Sequence, residues 1–199
     1  MSKKAALLAL VLASSLSLVV LSLSSASSAP LGPGNLLVNG DFETGTTGWT
    51  ESYATDFFTV TQPISSGIWA AALNRVGPAL GEISIHQYVT VFPGATYTLT
   101  GWIYKDESAF EYAHLRLDWL NADGGDLISP LITDDNPFYR QVTVGPVVAP
   151  PDASTAKISA VAKLHTSLPE NPIYFDDLRL TSNMIPRNRL PLLLKNRQG

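Results

Sequence analysis

Residues 96–120 read TYTLTGWIYKDESAFEYAHLRLDWL. On one side of a largely polar joint at 105–111, Tyr97, Leu99 and Ile103 alternate with Thr98, Thr100, Trp102 and Tyr104. On the other side, Leu115, Leu117 and Trp119 alternate with Tyr112, His114, Arg116 and Asp118. A period of two places successive side chains on opposite faces of a strand. The aliphatic set is therefore assigned to the core and the other set to the outer face. If 105–111 joins the two as a symmetric hairpin, Tyr104 faces Tyr112, Trp102 faces His114 and Thr100 faces Arg116. Such a face collects rings, an imidazole and a guanidinium, and it suits the apolar side and hydroxyls of a pyranose. Trp102, Tyr104, Tyr112, His114 and Arg116 are the candidate ligand contacts, with Trp69 at the rim. The assignment depends on register, because a slip of one residue exchanges the faces.

The same texture runs through the chain. FFTVT (57–61), WAAALN (69–74), EISIHQYVTV (82–91), YRQVTVGPVV (139–148), TAKISAVAKL (155–164) and IYFDDLRL (173–180) are short, rich in β-branched and aromatic residues, and bounded by Pro or Gly. With NLLVNGDF (35–42) and the two strands above, this predicts about nine strands and no helix of useful length. FPGAT (92–96) reads as a tight turn, NADGGD (121–126) as a Gly-rich hairpin loop and APPDAS (149–154) as a stiff connector. Many short strands with regular turn signals point to an antiparallel sandwich or barrel.

Three segments follow from composition. Residues 1–29 carry Lys3 and Lys4, then an apolar run and SSASSA, the layout of a secretory signal cleaved after Ala26 or Ala29. Residues 35–181 form one domain with a sizeable core. Residues 182–199 form a basic tail holding an apolar LPLLLK patch, which fits either a frayed end or a docking segment. The expectation is a secreted or cell-surface protein with no membrane span once the signal is removed. The chain has no Cys, which excludes disulfides, thiolate nucleophiles and Cys-bound zinc. Leaving out Lys3, Lys4 and the tail cations Arg187, Arg189, Lys195 and Arg197 takes the formal charge from −4 to −10. That argues against nucleic acid, whose phosphates need a basic face.

No GxSxG, HExxH or phosphate-cradling loop occurs, and His86, His114 and His165 fall on different predicted strands or their ends. No catalytic residue is assigned, and the protein is read as a non-enzyme. Asp134 and Asp135 are read as turn residues.

The opening NLLVNGDFETGTTGW (35–49), the central HQYVTVFPGATYTLTGWIY (86–104), FYRQVTV (138–144) with PPDASTAKISA (150–160), and the closing YFDDLRL (174–180) together resemble the family 4/9-type carbohydrate-binding modules. These belong to the galactose-binding-like jelly rolls. The resemblance covers residues 35–181. It implies an all-β, antiparallel two-sheet jelly-roll β-sandwich with its first and last strands side by side. It further implies a structural Ca²⁺ at that junction, held by Glu43 and by Asp176 or Asp177. Asp41 is a further carboxylate at this end. Calcium needs six to eight oxygens, and four crowded acids repel unless a cation neutralises them. Neighbours on a strand point to opposite faces, which sets Asp177 with Phe175 and Asp176 with Tyr174 and Leu178; Asp177 is the preferred ligand. The other reading has Asp41 capping a turn and the terminal acids facing water. Trp49 is expected to pack under the first loop. The expected partner is a polysaccharide or cell-surface glycan. The alternative is an adhesive domain that binds other surface proteins through the same fold.

Overall fold

The computed structural model describes residues 34–77, 81–120, 122–165 and 169–184. The expected signal at 1–29 and the LPLLLK tail lie outside them. Ten strands form two antiparallel sheets. The first sheet has the order β1-β4-β9-β6-β7, from Thr50–Glu51 (β1), Glu82–Thr90 (β4), Phe110–Leu120 (β6), Asp126–Ile128 (β7) and Thr155–Leu164 (β9). The second has the order β2-β3-β10-β5-β8, from Thr55–Val60 (β2), Ala70–Arg75 (β3), Thr96–Lys105 (β5), Asn136–Val148 (β8) and Ile173–Ser182 (β10). This is the two-sheet sandwich expected from the sequence. Among the described residues there is no helix, and so none long and apolar enough to cross a membrane.

Strand parity follows the sequence. Tyr97, Leu99, Ile103, Leu115, Leu117 and Trp119 are buried in the core with Ile83, Ile85, Ile158, Phe175 and Leu180. Pairing does not follow it. β5 lies in the second sheet and β6 in the first, so the 105–111 joint crosses the sandwich and forms no hairpin. Both strands do turn their polar sets outward, but on opposite sides of the molecule. Local alternation fixes which face of a strand is wet; it carries no information about which strand lies next to it. NADGGD does make a hairpin, with Asp118 opposite Asp126.

The segment 35–42 is a chain of turns, with Asn39 and Phe42 at positive φ (51° and 58°), and forms no strand. It nonetheless lies along β10, as the expected pairing of chain ends requires. Leu36 N–H donates to Leu180 O (2.8 Å) and Leu178 N–H to Gly40 O (2.8 Å). Gly40 is required there, because a Cβ would sit 2.0 Å from Leu178 O. The Gln87 side chain on β4 accepts from Val38 N (3.0 Å) and donates to Val38 O (2.6 Å), tying the same segment to the first sheet. Trp49 is buried against Phe42, its ring 5.5 Å away, and its indole N–H donates to Asn39 O (2.9 Å).

A candidate polar face on the first sheet

The registers of β4, β9 and β6 align outward-facing side chains in rows across the first sheet. Glu82, Lys163 and Tyr112 form one row, and Ser84, Val161 and His114 the next. His86, Ser159 and Arg116 follow, then Tyr88, Lys157 and Asp118. The ends of this face are aromatic. Tyr88 is 60% exposed and its ring meets His86 at 5.3 Å. Tyr112 lies 5.5 Å from His114, with the Lys163 ammonium 5.4 Å from its centroid.

Between the two tyrosines lie buried polar atoms without partners. His114 is only 3% exposed and neither ring nitrogen is hydrogen-bonded. Ser159 Oγ, His86 Nδ1 and Asp118 Oδ1 are in the same condition. A buried polar atom left unpaired costs about 1–3 kcal/mol, so proteins rarely keep several together without a use for them. The charged members are anchored. Arg116 donates to Asp118 Oδ2 (3.2 Å) and lies 3.4 Å from Glu82 Oε2. Tyr112 OH donates to Glu82 Oε1 (3.0 Å). Burial holds His114 below the ordinary histidine range, with Glu82 opposing and Arg116 adding to the effect. Burial also pushes Asp118 up to about 6, against the pull of Arg116 and with help from Asp126. At neutral pH the face therefore offers the neutral imidazoles of His86 and His114, the hydroxyls of Ser84, Tyr88, Tyr112 and Ser159, a guanidinium and carboxylates.

The six expected ligand contacts are thus divided. Tyr112, His114 and Arg116 share this face. Trp102 and Tyr104 lie on the far side of the molecule, where Trp102 faces Asp176 and Gln141, and Tyr104 faces Tyr174. The single platform of two Tyr, a Trp, a His and an Arg is corrected accordingly. Trp69 immediately precedes β3 of the second sheet and is 36% exposed. His86, Tyr88, Asp118 and Ser159 were not among the expected contacts. Their alternation was readable, but their adjacency across β9 was not.

Three of the four acids at the chain ends, Glu43, Asp176 and Asp177, clamp the 61–69 loop with their side chains. Glu43 Oε1 accepts from Ile68 N (2.7 Å) and Trp69 N (3.0 Å). Asp176, fully buried, accepts from Ser65 N (2.8 Å) and Ser66 N (3.0 Å) through one oxygen and from Asp177 N (2.8 Å) through the other. Asp177 accepts from Ser66 Oγ (2.7 Å), and Asp41 lies at the limit of reach of Glu43 N (3.5 Å). Asp177 has φ 48° and sits at a bulge between Asp176 and Arg179. The bulge turns Leu178 into the core and leaves Asp176 on the outer side, so the expected face-sharing of Asp177 with Phe175 and of Asp176 with Leu178 does not hold. Among the described residues no three acidic or histidine side chains gather closely enough to hold a metal ion. N–H groups aimed at Glu43 Oε1 and at both Asp176 oxygens compete with a cation for those atoms.

No protein-family model and no curated protein sequence matches the chain. Solved structures do. A family 61 carbohydrate-binding module in complex with β-1,4-galactotriose is 16% identical with a TM-score of 0.55, over 73% of this chain and 97% of that one. A family 22 xylan-binding domain is 12% identical with a TM-score of 0.56, over 74% and 94%. A Stig cyclase from Fischerella sp. TAU is 16% identical with a TM-score of 0.58, over 76% and 98%. At these identities the likeness establishes the fold. The neighbours of this β-sandwich thus include carbohydrate-binding modules and a cyclase.

Proposed function

We propose that the chain is a non-catalytic glycan-binding domain acting outside the cell or at its surface, with the outer face of the first sheet as its binding surface. One observation carries the reading: buried, unpartnered polar atoms of His114, Ser159, His86 and Asp118 lie together between Tyr88 and Tyr112. Sugar hydroxyls both donate and accept, so a pyranose whose apolar side covers a tyrosine ring can pair with the polar side chains beside it. The fold neighbours that bind β-1,4-galactotriose or xylan give the same reading independent support.

Affinity gel electrophoresis against a panel of plant and microbial polysaccharides tests this. Retardation of the wild type on at least one polymer, weakened about tenfold in Tyr112→Ala, is the expected result. No retardation on any polymer overturns it and favours the adhesive, protein-binding reading.

A further inference from the structure

On the opposite side of the molecule, the second sheet builds an aromatic corner. The Tyr104 ring lies 5.4 Å from Tyr139 at 58° and 5.6 Å from Tyr174 at 78°. Tyr139 is fixed by donating its hydroxyl to Pro63 O (3.0 Å), which brings the 61–69 loop over this end of the sheet. Beside the corner lies a cavity of about 230 Å³ lined by Pro63, Tyr104, Asp106, Asn171, Pro172 and Tyr174. Two tyrosines, two prolines, one carboxylate and one amide line it.

This lining differs in kind from the first-sheet face. The rings are tilted or edge-on to one another. No basic side chain lines the cavity. Asn171 is turned toward Glu107, its backbone N–H donating to Glu107 Oε2 (3.2 Å). Among the described residues Asp106 has no ion-pair partner, whereas Lys105, Arg116, Arg140 and Lys163 all have one. Aromatic faces attract a cation through their quadrupole, each contact being worth about 0.5–2 kcal/mol. A carboxylate at the rim of a strongly acidic domain adds to that attraction.

We propose that this corner is a binding site for a quaternary or fully methylated ammonium group, held against Tyr104 and Tyr174 with Asp106 as counter-charge. A methylated ammonium is favoured over a bare one because it sheds water easily and its methyl groups fill the space against Pro63 and Pro172. The affinity expected for a few such contacts is a Kd on the order of 1 mM.

Titration of the protein with choline, followed by NMR of its trimethylammonium protons, tests the proposal. Saturable upfield shifts are expected, and 3,3-dimethyl-1-butanol, the neutral carbon isostere, should bind at least about tenfold more weakly, a difference of about 1.4 kcal/mol. Nε-trimethyllysine run in parallel separates a free or lipid-borne headgroup from a modified lysine; saturation by either supports the site. Tyr104→Ala should abolish the response. Tyr104→Phe, which keeps the π face and the packing, should retain it, and Asp106→Asn should weaken it severalfold. His114→Leu, on the other sheet, should leave it unchanged, so failure here and failure of the glycan reading are separable. No saturable shift with either ammonium, equal binding of the neutral isostere, or full binding by a folded Tyr104→Ala protein overturns the assignment.

Discussion

His114→Leu separates binding from stability. The imidazole is 3% exposed, its two ring nitrogens have no partner, and β9 sets the fully buried Val161 beside it. Leucine offers an apolar group of comparable size. The change removes an unsatisfied polar burial worth about 1–3 kcal/mol and forfeits part of the ring contact with Tyr112, about 0.5–1.5 kcal/mol. A net gain of about 1 kcal/mol follows, or a rise in Tm of about 2–4 °C for a domain of this size. The wild-type histidine resists protonation, so the unfolded chain takes up a proton first as pH falls below its ordinary value. The advantage of the leucine variant therefore widens toward pH 5. Polysaccharide affinity should fall about tenfold or more, because the ligand loses a ring donor or acceptor. Calorimetric melting at about pH 7 and pH 5 with gel retardation on the preferred polymer measures all three. A variant that melts below the wild type, or that still binds its polymer fully, would refute the argument that these nitrogens are kept unpaired for a ligand.

Tyr88→Ala and Tyr112→Ala should each weaken polysaccharide binding about tenfold by loss of a stacking surface, while Trp102→Ala and Tyr104→Ala leave it unchanged; the reverse pattern would restore the second sheet as the glycan face. Asp118 is pushed up to about 6, so the stability it contributes is present near pH 4 and is lost as pH rises through 6. After allowance for its partial contact with solvent the effect is about 1–2 kcal/mol, and urea melts should find it missing in Asp118→Asn. Asp176→Ala leaves three backbone N–H groups without their acceptor and should cost about 2–4 kcal/mol. A chelator should leave the wild-type Tm in place, and a fall of several degrees would return a metal to this junction. Gly67→Ala should destabilise the same loop, since Gly67 has φ 65° and a Cβ would lie 2.1 Å from Glu43 Oε1; a melting temperature equal to the wild type would show that the clamp dispenses with Glu43.

Alternation in 96–104 and 112–120, read with the Pro and Gly punctuation, was enough to establish an all-β sandwich and to name most of its core. Side-chain parity is a property of each strand alone, so Leu99, Ile103, Leu115 and Leu117 were legible as interior and Tyr112, His114 and Arg116 as exterior. The side of the sandwich to which each exterior residue belongs was not legible, because it depends on whether the 105–111 joint turns back or crosses over. The tertiary structure decided that it crosses. It separated Trp102 and Tyr104 from His114 and Arg116, and it brought His86 and Ser159 beside Arg116 through pairings about forty or more residues apart in the chain. It also set the path of the 61–69 loop, which places the amides of Ser65 and Ser66 on Asp176 and those of Ile68 and Trp69 on Glu43, contacts that the residue types alone do not dictate.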